Sequence, residues 1–163
     1  MVVVVAPTDK GTFAAFYASH YDWAASLAFV LTDGGADAHD IAQDSLLQVR
    51  LRYDRVRDPV PYLRTCIVNA CRSQHRRAAT AERLKEAVAT PGVEYSVHRE
   101  LLDVVAKLSE RQRIVVTLRY YEGLPDEDIA AVLNCRRSTV RSLAARALDV
   151  LKISLEDEGR SVS

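Results

Sequence analysis

Residues 123–151 read GLPDEDIAAVLNCRRSTVRSLAARALDVL, and no other stretch restricts the fold as tightly. Ile129, Val132 and Leu133 form one apolar stripe at helical spacing, and Val140, Ala144, Ala147 and Leu151 form a second. Between them lies a sharp reversal at Asn134-Cys135, and Asn is among the few residues besides Gly that tolerate a left-handed backbone. The small Ala130, Ala131, Ala144 and Ala147 let the two helices approach closely. Burying the stripes against each other leaves Arg137, Arg141, Ser142 and Arg146 facing outward. This is the grammar of a helix-turn-helix, whose second helix enters a phosphate-lined groove. An ordinary helical hairpin with a solvated basic face has the same periodicity, so support has to come from the rest of the chain.

The distribution of charge supplies part of it. Lys+Arg and Asp+Glu both number 22 in a chain of 163 residues, but they are not mixed evenly. Residues 1–49 carry one Lys against six Asp, and residues 50–83 carry nine Arg against three acids. Residues 84–135 hold six bases against nine acids, residues 136–152 five against one, and residues 153–163 one against three. Two separated basic blocks suit two contacts with one polyanion, and the acidic segments can meet a basic protein surface. The apolar share of 48%, with only 6 Gly and 5 Pro, predicts a folded, all-α chain. Cys66, Cys71 and Cys135 form no CxxC pair and have no His at zinc-finger spacing, so they read as reduced packing thiols and no metal or cofactor is expected. The apolar opening, residues 1–6, lacks a basic flank and stops at Pro7, and no later run approaches the ~20 residues of a membrane span. A cytoplasmic protein with no membrane contact is expected.

Along the chain, residues 12–31 have an apolar-rich helical pattern that breaks at residues 32–35. Asp37 reads as an N-cap with Asp40 three residues on, opening a helix with the stripe Ile41, Ala42, Ser45, Leu46, Val49 and Tyr53. Pro59 and Pro61 predict a loop over residues 55–61, with a third helix beginning near Tyr62. In that helix Leu63, Ile67, Ala70 and Cys71 make the buried face, and Thr65, Asn69, Arg72 and Arg76 make a polar stripe. Residues 78–97 lose the pattern and read as a linker that starts as a helical extension. Periodicity resumes at Leu101, Val104, Val105 and Leu108. Ser109 and Gln112 then form a capping box for a helix through residue 121, with Ile114, Val115 and Leu118 inside. The expected organisation is two small helical modules, 10–78 and 99–153, joined by a 79–98 linker.

The order and wording of these pieces resemble the extracytoplasmic-function (ECF) subfamily of bacterial RNA polymerase sigma factors over residues 13–152. The matching residues are Asp37-Ala38-His39-Asp40-Ile41-Ala42-Gln43-Asp44, Tyr62-Leu63-Arg64 with Asn69 and Arg72, Leu108-Ser109-Glu110-Arg111-Gln112-Arg113, Gly123-Leu124, and residues 135–142. The resemblance implies a promoter-specificity factor, not an enzyme. Its first module, like sigma region 2, would bind the polymerase clamp and open the minus-10 element. Its second, like region 4, would bind the flap and read minus-35. Core RNA polymerase and promoter DNA are the implied partners, and the resemblance also admits an anti-sigma protein. Carried onto this chain, minus-35 contacts fall on Arg136, Arg137, Ser138, Thr139, Arg141, Ser142 and Arg146. Minus-10 contacts fall on Arg55, Arg57, Tyr62, Arg64, Thr65, Asn69, Arg72 and Arg76, and polymerase contacts on Asp37, Asp40, Gln43 and Asp44. Tyr62 stands where the family usually has Trp, His39 where it usually has an acid, and Pro125 where it usually has a capping Ser. Leu143 and Ala145 replace the family's frequent Arg and a larger residue, which predicts thinner or altered minus-35 readout.

Two other function classes compete. A stand-alone helix-turn-helix regulator would use the same reading head but has no need of a clamp-binding helix and a second basic stripe. A helical metal-dependent phosphohydrolase would use His39 and Asp40 among Asp33, Asp37 and Asp44. That chemistry needs further His ligands in register, and only His20, His75 and His98 remain. Trp23 reads as core rather than as a cofactor pocket, and no large appended module is expected to regulate the chain in cis.

Overall fold

A computed structural model of the chain describes residues 11–32, 37–81 and 99–161, and every element among them is helical. The chain divides into two compact units, the first holding α1 to Phe29 together with α2 and α3, the second holding α4 to α7. Helix α1 spans Phe13–Leu31, α2 Ala38–Arg52 and α3 Pro59–Ala81. Helix α4 spans Arg99–Ala106 and α5 Glu110–Val116, running directly into a π-helical turn at Thr117–Tyr121. Helices α6 (Asp126–Leu133) and α7 (Arg137–Ser161) complete the second unit.

In the first unit the Thr12 hydroxyl accepts the Ala15 amide at 3.2 Å and so starts α1. Phe16, Ala24, Leu27 and Ala28 are buried along it. The rings of Phe13 and Phe16 lie 5.6 and 5.5 Å from that of Tyr53, which fastens the start of α1 to the end of α2. The expected α2 stripe is buried residue for residue, with Ala38 added. Asp37 is the N-cap residue, but its side chain makes no cap hydrogen bond and instead accepts one from Gln74 on α3. The proline loop is shorter than expected, because α3 starts at Pro59 rather than near Tyr62. Both prolines sit in the first turn, where a missing N–H costs nothing, and the Asp58 carboxylate accepts the Val60 amide at 3.2 Å as the cap. Leu63, Ile67 and Cys71 are buried as expected together with Val68, and α3 packs on α2 through them. Fully burying each such aliphatic side chain is worth about 1.5–3 kcal/mol.

In the second unit the capping box is present in full. Gln112 N–H donates to Ser109 Oγ at 3.3 Å, and Ser109 N–H donates to Gln112 Oε1 at 3.0 Å. Arg113 is buried and donates to the Val105 and Ala106 carbonyls at 3.3 and 3.4 Å, closing the end of α4 with a cation where the helix dipole favours one. Beyond α5 the expected single helix widens. Glu122 N–H reaches back five residues to the Thr117 carbonyl at 3.0 Å, and Leu118 stays buried while Tyr120 and Tyr121 are exposed.

Asn134 adopts the left-handed conformation (φ 50°, ψ 53°) and ends α6 as its sequence position implies. Ile129, Ala130 and Leu133 of α6 and Val140, Ala144 and Ala147 of α7 are buried where the two helices pack. Ala131, expected to line the close approach, is exposed. Val105 and Leu108 meet Ala147, with Val116, Val150 and Leu151 packed around them. Helix α7 continues past residue 153 to Ser161, beyond the expected module boundary. Of the expected 79–98 linker only residues 79–81, the end of α3, fall within the described residues.

Candidate nucleic-acid interface

The Arg136 carbonyl accepts the Thr139 and Val140 amides at 3.0 and 3.2 Å, so Arg136, Arg137 and Ser138 surround the positive end of the α7 dipole. Arg141, Ser142 and Arg146 follow on the exposed side at three- and four-residue intervals, and Thr139 is half-buried among them. Leu143 is half-buried and Ala145 exposed, so neither brings a donor to this surface. The sequence expectation that these positions face outward holds for all seven residues except the half-buried Thr139.

What the sequence reading missed lies across the turn. The first turn of α6 carries Asp126, Glu127 and Asp128, where a helix N-terminus favours negative charge. Glu127 Oε1 lies 2.9 Å from Arg137 Nη2. The Asp126 carboxylate, 14% exposed, is shared, with Oδ2 3.5 Å from Arg141 Nε and Oδ1 3.6 Å from Arg119 Nε on the π-helical turn. Among the described residues no ion pair engages Arg136 or Arg146. The acidic run facing a basic run was the available signal, but only the turn geometry shows which acid meets which arginine.

In the first unit, Asn69 and Arg76 are exposed on α3, and Tyr62, Thr65 and Arg72 are half-buried beside them. Arg55 and Arg57 are exposed in the connection before α3. Thr65 Oγ1 donates to the Pro61 carbonyl at 3.1 Å, and Arg76 donates to Ser73 Oγ at 3.3 Å. Arg64 differs from its neighbours, since its guanidinium lies over the Trp23 ring at 5.6 Å from the centroid. Trp23 itself is half-buried rather than core. Together these residues make a polar, cationic face with flat surfaces within it, the combination that holds unstacked bases. Burial pushes the Cys66 thiol above its ordinary value, against the lowering effects of the Tyr62 hydrogen bond and of Arg52, so Cys66 is poorly suited to thiolate chemistry.

Helix α2 presents a different surface. Asp37, Asp40, Gln43 and Asp44 are all exposed. Asp37, Asp40 and Asp44 line one side of a groove of about 650 Å³, and Ser73, Gln74 and Arg77 of α3 line the other. His39 turns inward, with Nδ1 2.9 Å from the Tyr21 hydroxyl and the two rings stacked. Burial raises the Tyr21 hydroxyl first and Tyr17 adds to it, while a hydrogen bond with Gln43 acts the other way. Leu47 and Leu51, 50% and 77% exposed, continue the outer side of α2 one and two turns beyond Gln43. They fall outside the buried stripe, a signal that the sequence offered and the reading did not use. Among the described residues no group of three or more His, Cys, Asp or Glu is placed to hold a metal ion, and no helix is long and apolar enough to cross a membrane.

Comparison with known proteins meets these surfaces from outside. The family model for sigma-70 region 2 matches residues 16–80, and that for sigma-70 region 4 matches residues 98–151. An RNA polymerase sigma-E factor of Streptomyces avermitilis is 33% identical over 128 residues, covering 74% of this chain and 72% of that protein. The ECF RNA polymerase sigma factor SigL of Mycobacterium tuberculosis is 25% identical over 167 residues, covering 94% of each. Among solved structures, the sigma factor RpoE of Bartonella quintana, in complex with the anti-sigma factor NepR, has the same fold with a TM-score of 0.73. It is 24% identical and covers 88% of this chain and 96% of its own.

Proposed function

The chain belongs to the ECF RNA polymerase sigma factors and is a promoter-specificity factor without catalytic chemistry of its own; on that premise we propose how its surfaces divide the work. The first turns of α7, from Arg136 to Arg146, read the minus-35 element in the major groove. The α3 face of Tyr62, Thr65, Asn69, Arg72 and Arg76, with Arg55 and Arg57 before it, holds the separated strand at minus-10. Arg64 contributes there from its place over Trp23. The outer side of α2, with Asp37, Asp40, Gln43 and Asp44 and the apolar Leu47 and Leu51, docks on the polymerase. Its partners are core RNA polymerase and promoter DNA in the cytoplasm, and an anti-sigma protein is a further partner of the kind its structural relative binds.

One observation carries this division: each unit has a basic helical face, and the acidic and apolar residues of α2 stand on a separate helix. Charged faces of opposite sign on different helices suit a protein that meets a polyanion and a protein surface together. The deciding experiment is capture of core polymerase by the purified chain, paired with nuclease protection of promoter DNA. Core capture with little protection by the free chain is expected. Full protection without polymerase would favour a stand-alone regulator instead.

A further inference from the structure

The ion pairs across the helix-turn-helix bear on how selectively α7 reads DNA. Two of the arginines on its reading face, Arg137 and Arg141, have carboxylates of the same unit at 2.9 and 3.5 Å. Those carboxylates occupy places that DNA phosphates would otherwise take. A guanidinium already paired gains less from a phosphate, and phosphate contact carries no sequence information. Aim is the second effect. Arg141 is 61% exposed on a long side chain, yet Asp126 anchors its Nε while being held itself by Arg119. The remaining guanidinium donors thereby keep a preferred direction, and bidentate base contacts depend on direction.

We propose that Asp126 and Glu127 are positioning residues that set the sequence selectivity of α7, withholding Arg141 and Arg137 from indiscriminate phosphate contact and directing them to base edges. This rests on α7 being the DNA-reading helix. Exposed ion pairs are individually weak, so a several-fold effect is the right scale, not an all-or-none switch. Two compensated arginines on so small a surface are nevertheless a large share of its charge.

The test uses the full chain and a labelled 24-base-pair duplex of random sequence, titrated across salt concentrations. Glu127→Gln and Asp126→Asn should each raise affinity for this duplex about threefold at low salt. Each should also steepen the dependence of log affinity on log salt by roughly one phosphate contact, a slope change of about 0.9. Glu127→Asp and Asp126→Glu, which keep the charge, should stay near the parent. In holoenzyme, selection from a promoter library randomised at minus-35 should lose base preference with the neutral variants and keep it with the charged ones. Unchanged duplex affinity with unchanged selection, or a parallel fall in both, overturns the proposal. Should Asp126→Asn fail to fold by circular dichroism, the exposed Glu127→Gln decides alone. If Arg137→Ala and Arg141→Ala leave random-duplex binding and library selection both intact, the failure lies with α7 as the reading helix rather than with its acids.

Discussion

The two basic faces present their cations in different ways. On α7 the arginines cluster at a helix start, and two of them are paired with acids a turn away on α6. On α3 the polar stripe runs along the helix from Thr65 to Arg76, and its nearest ring contact is Arg64 stacked on Trp23. The first arrangement fixes direction, which reading base edges in an intact groove requires. The second spreads charge and flat surface along a path, which a flexible single strand requires. One chain thus carries two solutions to binding the same polymer in two physical states.

Breaking the α3 face should have the largest effect. Asn69→Ala with Arg72→Ala removes two polar contacts to the opened strand, about 1.5–3 kcal/mol each where a charged group takes part, so promoter opening should fall about 100-fold. Assembly on closed duplex should persist, and a pre-melted bubble template should restore much of the activity, because unstacking has already been supplied. Equal defects on closed and pre-opened templates would make this a structural face. Breaking the α7 face should cost less. Arg141→Ala and Arg146→Ala are each expected to weaken promoter-dependent transcription by about 1–3 kcal/mol with core binding intact. Core-binding assays check this directly, and loss of core binding would mean that the helix faces protein.

Two stability measurements sharpen the comparison below that scale. Asn134→Ala places an ordinary side chain in a left-handed conformation and should destabilise the second unit by roughly 1–2 kcal/mol, whereas Asn134→Gly should be tolerated. Thermal unfolding followed by circular dichroism separates the two. Ser45 in the first unit is buried in α2, and its hydroxyl has no hydrogen-bond partner among the described residues. Ser45→Ala should therefore be neutral or stabilise by up to about 1 kcal/mol, and a loss of stability would point to a bonded hydroxyl.

These outcomes depend on features that differ in how far they could be read from residues alone. The α2 stripe, the Ser109 capping box and the Asn134 reversal follow from local rules in which spacing and side-chain chemistry act together, and each was legible. Pro59 and Pro61 misled because proline breaks a helix interior but suits its first turn, and only the Asp58 cap tells the two cases apart. The π-helical turn has no local signature, since it is fixed by how α5 and α6 pack on α7. The candidate site divides the same way. Periodicity placed the α7 arginines on the surface, but the pairing of Asp126 with both Arg119 and Arg141 joins residues seven and fifteen positions apart and needs the tertiary fold. Arg64 was listed with the strand-facing residues, although its aromatic partner lies on another helix.

The π-helical turn at Thr117–Tyr121 also bears on how such a reading head can be retuned. It holds one residue more than an α-helical turn would, so a single-codon deletion there has a conformation ready to receive it. Each residue of an α-helix advances the chain by roughly 100°, and losing one would rotate whatever follows by that amount relative to α5. Insertions and deletions at this point act as a coarse dial on the phase of the helix-turn-helix, whereas substitutions on α7 act as a fine one. A lineage exploring new promoters could change where the head points without rewriting the residues that read.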